Sequence, residues 1–88
     1  MVKVKDGTGK DEVEQLHGKF RRLSYPGMVS FTIGSDLGLR DGNWSFAIVA
    51  DFATEDDYRV YDQDPEHNRL RAELAPMVAE IARLQFAC

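Results

Sequence analysis

Apolar and polar residues alternate briefly over residues 1–5 and stop at Asp6-Gly7-Thr8-Gly9, which predicts a short strand closed by a turn cluster. A helix is predicted from about Asp11, with Asp11 as N-cap and Glu14 as the acid of a capping box. Val13, Leu16, Phe20 and Leu23 recur at helical spacing on one face, and His17 lies beside that stripe, where it reads as a boundary residue. Tyr25-Pro26-Gly27 ends the helix, because the residue before a proline avoids the helical region. Residues 28–34 then alternate as a strand, with Val29, Phe31 and Ile33 on one face and Ser30 and Thr32 on the other.

A long polar connection follows, ending in the hairpin-like Asp41-Gly42-Asn43. Its glycines precede a strand and not a helix, so they form no phosphate-binding fingerprint. The connection reads first as a mobile hairpin loop, and the alternative is that its Leu37 and Leu39 cover a pocket mouth. Residues 44–52 form a strand that is apolar on both faces: Trp44, Phe46, Ile48, Ala50 and Phe52 on one, Ala47 and Val49 on the other. A strand with two apolar faces belongs to a sheet covered on both sides. In a chain this short, helices cover one side, and the other needs a ligand, a cavity or a second copy. This is the physical argument for a homodimer.

Thr54-Glu55-Asp56-Asp57 starts the next helix with a capping-box acid, and Tyr58 and Tyr61 share a face. Asp64-Pro65 breaks the helix and restarts it, with Asp64 as N-cap and Pro65 in the first helical position. His67, Leu70, Leu74, Met77 and Val78 mark the inward stripe that follows, and Pro76 limits how far the helix runs. Ala82, Leu84, Phe86 and Cys88 alternate with polar residues, which predicts a closing strand over residues 82–88 with one buried face. The order β-α-β-β-α-β with an antiparallel sheet is the α+β, ferredoxin-like split βαβ arrangement, a fold that hosts many functions.

Composition narrows the function classes. The chain has 88 residues, enough for one small domain, and 43% of them are apolar. Its formal net charge is −4, from 15 acidic and 11 basic residues, so it lacks the basic face that nucleic acid requires. The one cysteine, Cys88, excludes an internal disulfide and a thiolate zinc site. No apolar run approaches a membrane span, no secretory leader is recognised, and the cytoplasm is the expected location. No cofactor motif is present, and Asp62, Asp64, Glu66 and His67 read as a solvated, capping helix junction and not as a metal site.

Several blocks in order resemble the stress-responsive dimeric α/β-barrel (Dabb) family: Pro26-Gly27 before the second strand and Gly34-Ser35-Asp36-Leu37 after it, then Gly42-Asn43-Trp44-Ser45-Phe46-Ala47, then Tyr58-x-x-Tyr61-x-x-Asp64-Pro65-Glu66-His67, then Ala75-Pro76-Met77. The resemblance covers most of residues 1–88 as a single domain and implies a ferredoxin-like protomer that pairs with a second copy into a dimeric α/β barrel. Met1-Val2-Lys3-Val4 supplies only the latter half of the family's first strand, which therefore looks shortened. The chain is also distantly similar to one branch of the family, the plant polyketide cyclase that forms olivetolic acid. That likeness implies catalytic roles for the positions of His67 and Tyr61. A further histidine of the branch's motif is replaced here by Asp64.

Tyr61 and His67 are six apart, and on one continuous helix they point apart. The break at Asp64-Pro65 lets two short helices aim them at one point. For catalysis, a neutral imidazole takes a proton beside a carbonyl and a phenol holds the oxygen as charge develops; the simpler, structural reading has His67 donating to a carbonyl near the junction and Tyr61 covering the core with its hydroxyl at the surface. Trp44, Phe46 and Ile48 on the third strand, with Asp64 at the junction, are the candidate ligand-lining residues. Three functions are consistent with these residues: a homodimeric stress-response or accessory domain without chemistry, a cofactor-free cyclase- or oxygenase-type enzyme acting on a small apolar carbonyl or aromatic compound, and a ligand-binding regulatory module.

Overall fold

The computed structural model describes residues 1–87. Its elements run β1 (Val2–Val4), α1 (Lys10–Arg21), β2 (Met28–Ser35), β3 (Phe46–Phe52), α2 (Glu55–Gln63), α3 (Pro65–Leu74), a 3-10 turn (Ala75–Met77) and β4 (Val78–Ile81). The strands form one antiparallel sheet in the order β2-β3-β1-β4, and this is an α+β ferredoxin-like fold.

The inner face of the sheet is set by register. Ile33 pairs with Ile48, Phe31 with Ala50 and Val2 with Phe46, and from this face Phe46 meets His17 of α1 and Phe31 meets Tyr61 of α2. Val2, Leu16, Phe20, Ile33, Phe46, Leu70 and Leu74 make the buried core. Burying a side chain such as Phe20 or Leu70 contributes about 1.5–3 kcal/mol. Ala47 and Val49 fall on the outer face, as their alternation predicts.

Tyr25-Pro26-Gly27-Met28 shows how local chemistry joins α1 to β2. Met28 N–H donates to the Tyr25 carbonyl at 3.1 Å, and Gly27 has φ +84°. Proline followed by a positive-φ glycine is the sequence of a type II turn. The Asp57 side chain also sits where a Cβ on Gly27 would project, so the position excludes a side chain twice over.

Five sequence expectations are corrected. Helix α1 begins at Lys10 with Gly9 as its N-cap, so Asp11 lies in the first turn and caps nothing through its side chain. His17 is fully buried and not at a boundary, because α1 packs between the sheet and α3 and has little free flank. Val29 does not share a face with Phe31 and Ile33: the register shifts between Met28 and Ser30, and this bulge leaves Val29 70% exposed. Trp44 precedes β3 and is not part of it.

The closing strand lies at Val78–Ile81, earlier than expected, because the 3-10 turn containing Pro76 ends the helical run at Met77. Ala82 still exchanges hydrogen bonds with Met1, but residues 83–87 have no regular structure, and Leu84 and Phe86 are exposed. The last position of that expected strand, Cys88, lies outside the described residues. Among the described residues, no helix is long and apolar enough to cross a membrane.

Candidate functional site

The junction between α2 and α3 is built by Asp64. Its Oδ2 accepts from the backbone N–H of Glu66 at 2.9 Å and of His67 at 3.2 Å, which satisfies the first turn of α3. Pro65 needs no such partner. The Tyr25 hydroxyl donates to the same Oδ2 at 2.8 Å. That bond, with the two backbone donors, holds the Asp64 carboxyl below its ordinary range. Asp62 pairs instead with Arg71, and Glu66 with Arg69, so the acids of this stretch turn to separate partners.

The break brings Tyr61 and His67 together. Their rings stack with centroids 3.8 Å apart and planes 26° from parallel. His67 is 3% exposed, and its Nδ1 lies 2.9 Å from the Tyr61 backbone oxygen. A carbonyl only accepts, so Nδ1 carries the proton and Nε2 the lone pair of the neutral ring. Burial, then the Arg71 charge, lower the His67 pKa, against an opposing effect of the carbonyl bond. Burial pushes the Tyr61 phenol up to about 12. Among the described residues, the Tyr61 hydroxyl and His67 Nε2 have no hydrogen-bond partner.

Around the pair stand Phe52 at 5.1 Å and Tyr25 at 5.6 Å from the Tyr61 ring centroid, with Phe31 and Tyr58 beyond. This is packed aromatic core. A cleft between Glu12, Leu16, Lys19 and Met77 and another between Val4, Val13, Ser35 and Phe46 open at the surface, and neither is lined by Tyr61 or His67.

The other candidate residues are dispersed. Phe46 is buried against His17, with ring centroids 4.4 Å apart. Ile48 lines the core on the next inner position of β3. Trp44 lies under the Lys3 ammonium, 5.4 Å from its centroid. Only Asp64 touches the Tyr61–His67 junction directly. Sequence reasoning passed over Tyr25, which closes the aromatic cluster and binds Asp64. Its signal was its position, one residue before the Pro26-Gly27 turn that carries it back over α2.

The model of the Stress responsive A/B Barrel Domain matches residues 1–88. The chain belongs to that family. Among solved structures, this A/B barrel domain is similar to a dimeric ferredoxin-like protein of unknown function from Thermobifida fusca, with 37% identity, 100% of this chain and 85% of that chain covered, and a TM-score of 0.93. A dimeric protein of unknown function and ferredoxin-like fold from Bacteroides fragilis is 21% identical over 90% of this chain and 82% of that one, at a TM-score of 0.70. The hydroxynitrile lyase from Passiflora edulis is 20% identical over 92% of this chain and 81% of that one, at 0.78. The latter two share the fold alone. No curated protein matches the A/B barrel domain in sequence.

Proposed function

We propose that this A/B barrel domain works as a homodimer in stress response or as an accessory protein, with the outer face of its sheet as the contact and no reaction at Tyr61 and His67. The observation that carries this reading is the outer face itself. Val29 and Val49 are exposed there, and Leu84 and Phe86, in the segment that follows β4, are 80% and 77% exposed. Apolar side chains grouped on one sheet face mark a surface that another surface covers. A domain of this size also gains from association, since alone it buries a modest share of its surface. The dimers from Thermobifida fusca and Bacteroides fragilis support the same reading. Sedimentation velocity at micromolar concentration is expected to give a dimer, and Val49→Lys a folded monomer. A wild-type monomer overturns the proposal.

The absence of chemistry at the junction rests on the packing: His67 is engaged by a backbone carbonyl and covered by the Tyr61 ring. One observation favours a second reading, proton transfer beside the carbonyl of a small apolar compound. The Nδ1–H bond fixes Nε2 as the basic nitrogen. Small aromatic ketones are the probes that separate the two. Under the first reading they leave the melting temperature unchanged. Stabilisation that is lost in Tyr61→Phe supports the second, and stabilisation indifferent to both residues supports a regulatory ligand site.

A further inference from the structure

Four large apolar side chains are more exposed than any other among the described residues: Leu37 at 82%, Leu39 at 79%, Leu84 at 80% and Phe86 at 77%. They form two pairs, one in the connection between β2 and β3, the other in the segment after β4. Both segments are tied down. In the first, Asp36 Oδ2 accepts the Gly38 N–H at 2.9 Å, and Oδ1 accepts the Asn43 side-chain amide at 3.0 Å. The Asp36 N–H also donates to the Ser45 carbonyl at 2.9 Å. In the second, the Ala82 N–H donates to the Met1 carbonyl at 2.9 Å, and the Gln85 side-chain amide donates to the Tyr58 hydroxyl at 3.3 Å. A held backbone presents each pair to another surface at a lower entropy cost than a loose one.

The sheet keeps the pairs apart. The first pair sits where β2 ends and β3 begins. β4 pairs antiparallel with β1, as β3 does, so β4 runs parallel to β3. The segment after β4 therefore leaves toward the end of β3, where the Tyr58 ring that holds Gln85 lies 5.6 Å from Phe52. The seven residues of β3, at about 3.4 Å each, place about 20 Å between the two ends. Neither pair can cover the other within one protomer. Their charges also differ: Asp41 follows the first pair and Arg83 precedes the second, and neither has an ion-pair partner among the described residues.

Building on the homodimer reading, on which the contact depends, we infer that Leu84 and Phe86 of each protomer pack on the partner's Leu37 and Leu39. A two-fold axis lying along the outer face, midway between the pairs and perpendicular to the line joining them, brings each pair over the other kind. One contact then makes the second, as an isologous interface requires. The axis passes the middle of β3, where Val49 is exposed, so the contacts at the ends and the contact across the face belong to one interface. Arg83 meets the partner's Asp41 at the rim, where opposite charges set register more than affinity.

Assembly and proximity are measured separately. Leu39→Glu and Phe86→Glu change exposed positions outside the core. Each is expected to raise the dimer dissociation constant, read by sedimentation equilibrium, about tenfold or more. Proximity is read with Arg40→Cys and Ala87→Cys, each beside a pair, in a Cys88→Ser chain. A mixture of the two proteins, left to exchange subunits, is expected to cross-link with bismaleimidoethane, and neither protein alone. A wild-type monomer overturns the homodimer and this contact together. A wild-type dimer that both glutamate variants leave equally tight, whose mixture does not cross-link, or that cross-links in Arg40→Cys alone, overturns the contact and leaves the homodimer standing. Assembly that grows past the dimer with concentration shows the ends joining head to tail and overturns the two-fold closure.

Discussion

Two histidines are buried in this chain, and they end in opposite states. His67 gives its Nδ1–H to the Tyr61 carbonyl and stacks on the Tyr61 ring, whereas His17 has both nitrogens unpaired among the described residues. Their places in the helices explain the difference. His67 stands in the first turn of α3, beside the last turn of α2, where helical carbonyls lack intrahelical partners. His17 stands in the middle of α1, where the helix uses every backbone group itself, and its ring meets Phe46. Burial of a histidine therefore says little about its role. An acceptor within reach decides whether the ring is structural or waits for a partner.

The largest expected effect lies at the satisfied ring. His67→Ala removes a stacked side chain from the core together with its bond to Tyr61, and urea denaturation is expected to show a loss of about 2–4 kcal/mol. A loss below about 1 kcal/mol, small for a packed core side chain, would mean that the ring faces open space and would remove the contrast with His17.

Acid comes next. Burial lowers both histidine pKa values below 6.5 in the folded chain. Near that pH the unfolded chain takes up protons that the folded chain refuses, so acid favours unfolding. The histidine contribution to stability is fully present above pH 6.5 and is lost as pH falls through that value toward the folded pKa values. Urea midpoints between about pH 7.5 and 5 are expected to fall with pH, and the slope to lessen in His17→Leu. A midpoint flat across that range would show that neither ring resists protonation.

The two sites also differ in how far the sequence reveals them. Asp64-Pro65 is a local signal: an acid that caps and a proline suited to the first helical position break one helix and start another wherever they occur. The meeting of Tyr61 and His67 follows from that break, as does the inward stripe through Leu70 and Leu74. The state of His17 is not local. Its spacing places it beside the apolar stripe of α1, and only the packing of the sheet on one flank and α3 on the other buries it. Tertiary packing likewise hides the bulge that turns Val29 outward and the short 3-10 turn that brings β4 forward to Val78. The apolar alternation of Leu84 and Phe86 misled: residues 83–87 form no strand, and both side chains are exposed where a buried face was expected.

A smaller effect is expected at Asp64. Asp64→Ala removes the acceptor for Glu66 and His67 N–H and the partner of the Tyr25 hydroxyl, so the first turn of α3 loosens. The melting temperature is expected to fall, by less than in His67→Ala, since the His67 ring keeps its stack and its carbonyl. A larger fall would make the cap, and not the ring, the element that holds the junction.

The smallest effect sharpens the comparison most. His17→Leu exchanges an unpaired polar ring for an apolar side chain of similar volume, packed against Phe46. Removing an unsatisfied buried group and leaving no new one is neutral or stabilising, here by about 1 kcal/mol at neutral pH. The same substitution at His67 is expected to destabilise, because that ring loses a bond it makes. Opposite signs for one substitution at two equally buried histidines would establish that hydrogen bonding, and not burial, separates them. A loss at His17 as large as that at His67 would show that its nitrogens are already satisfied by ordered water.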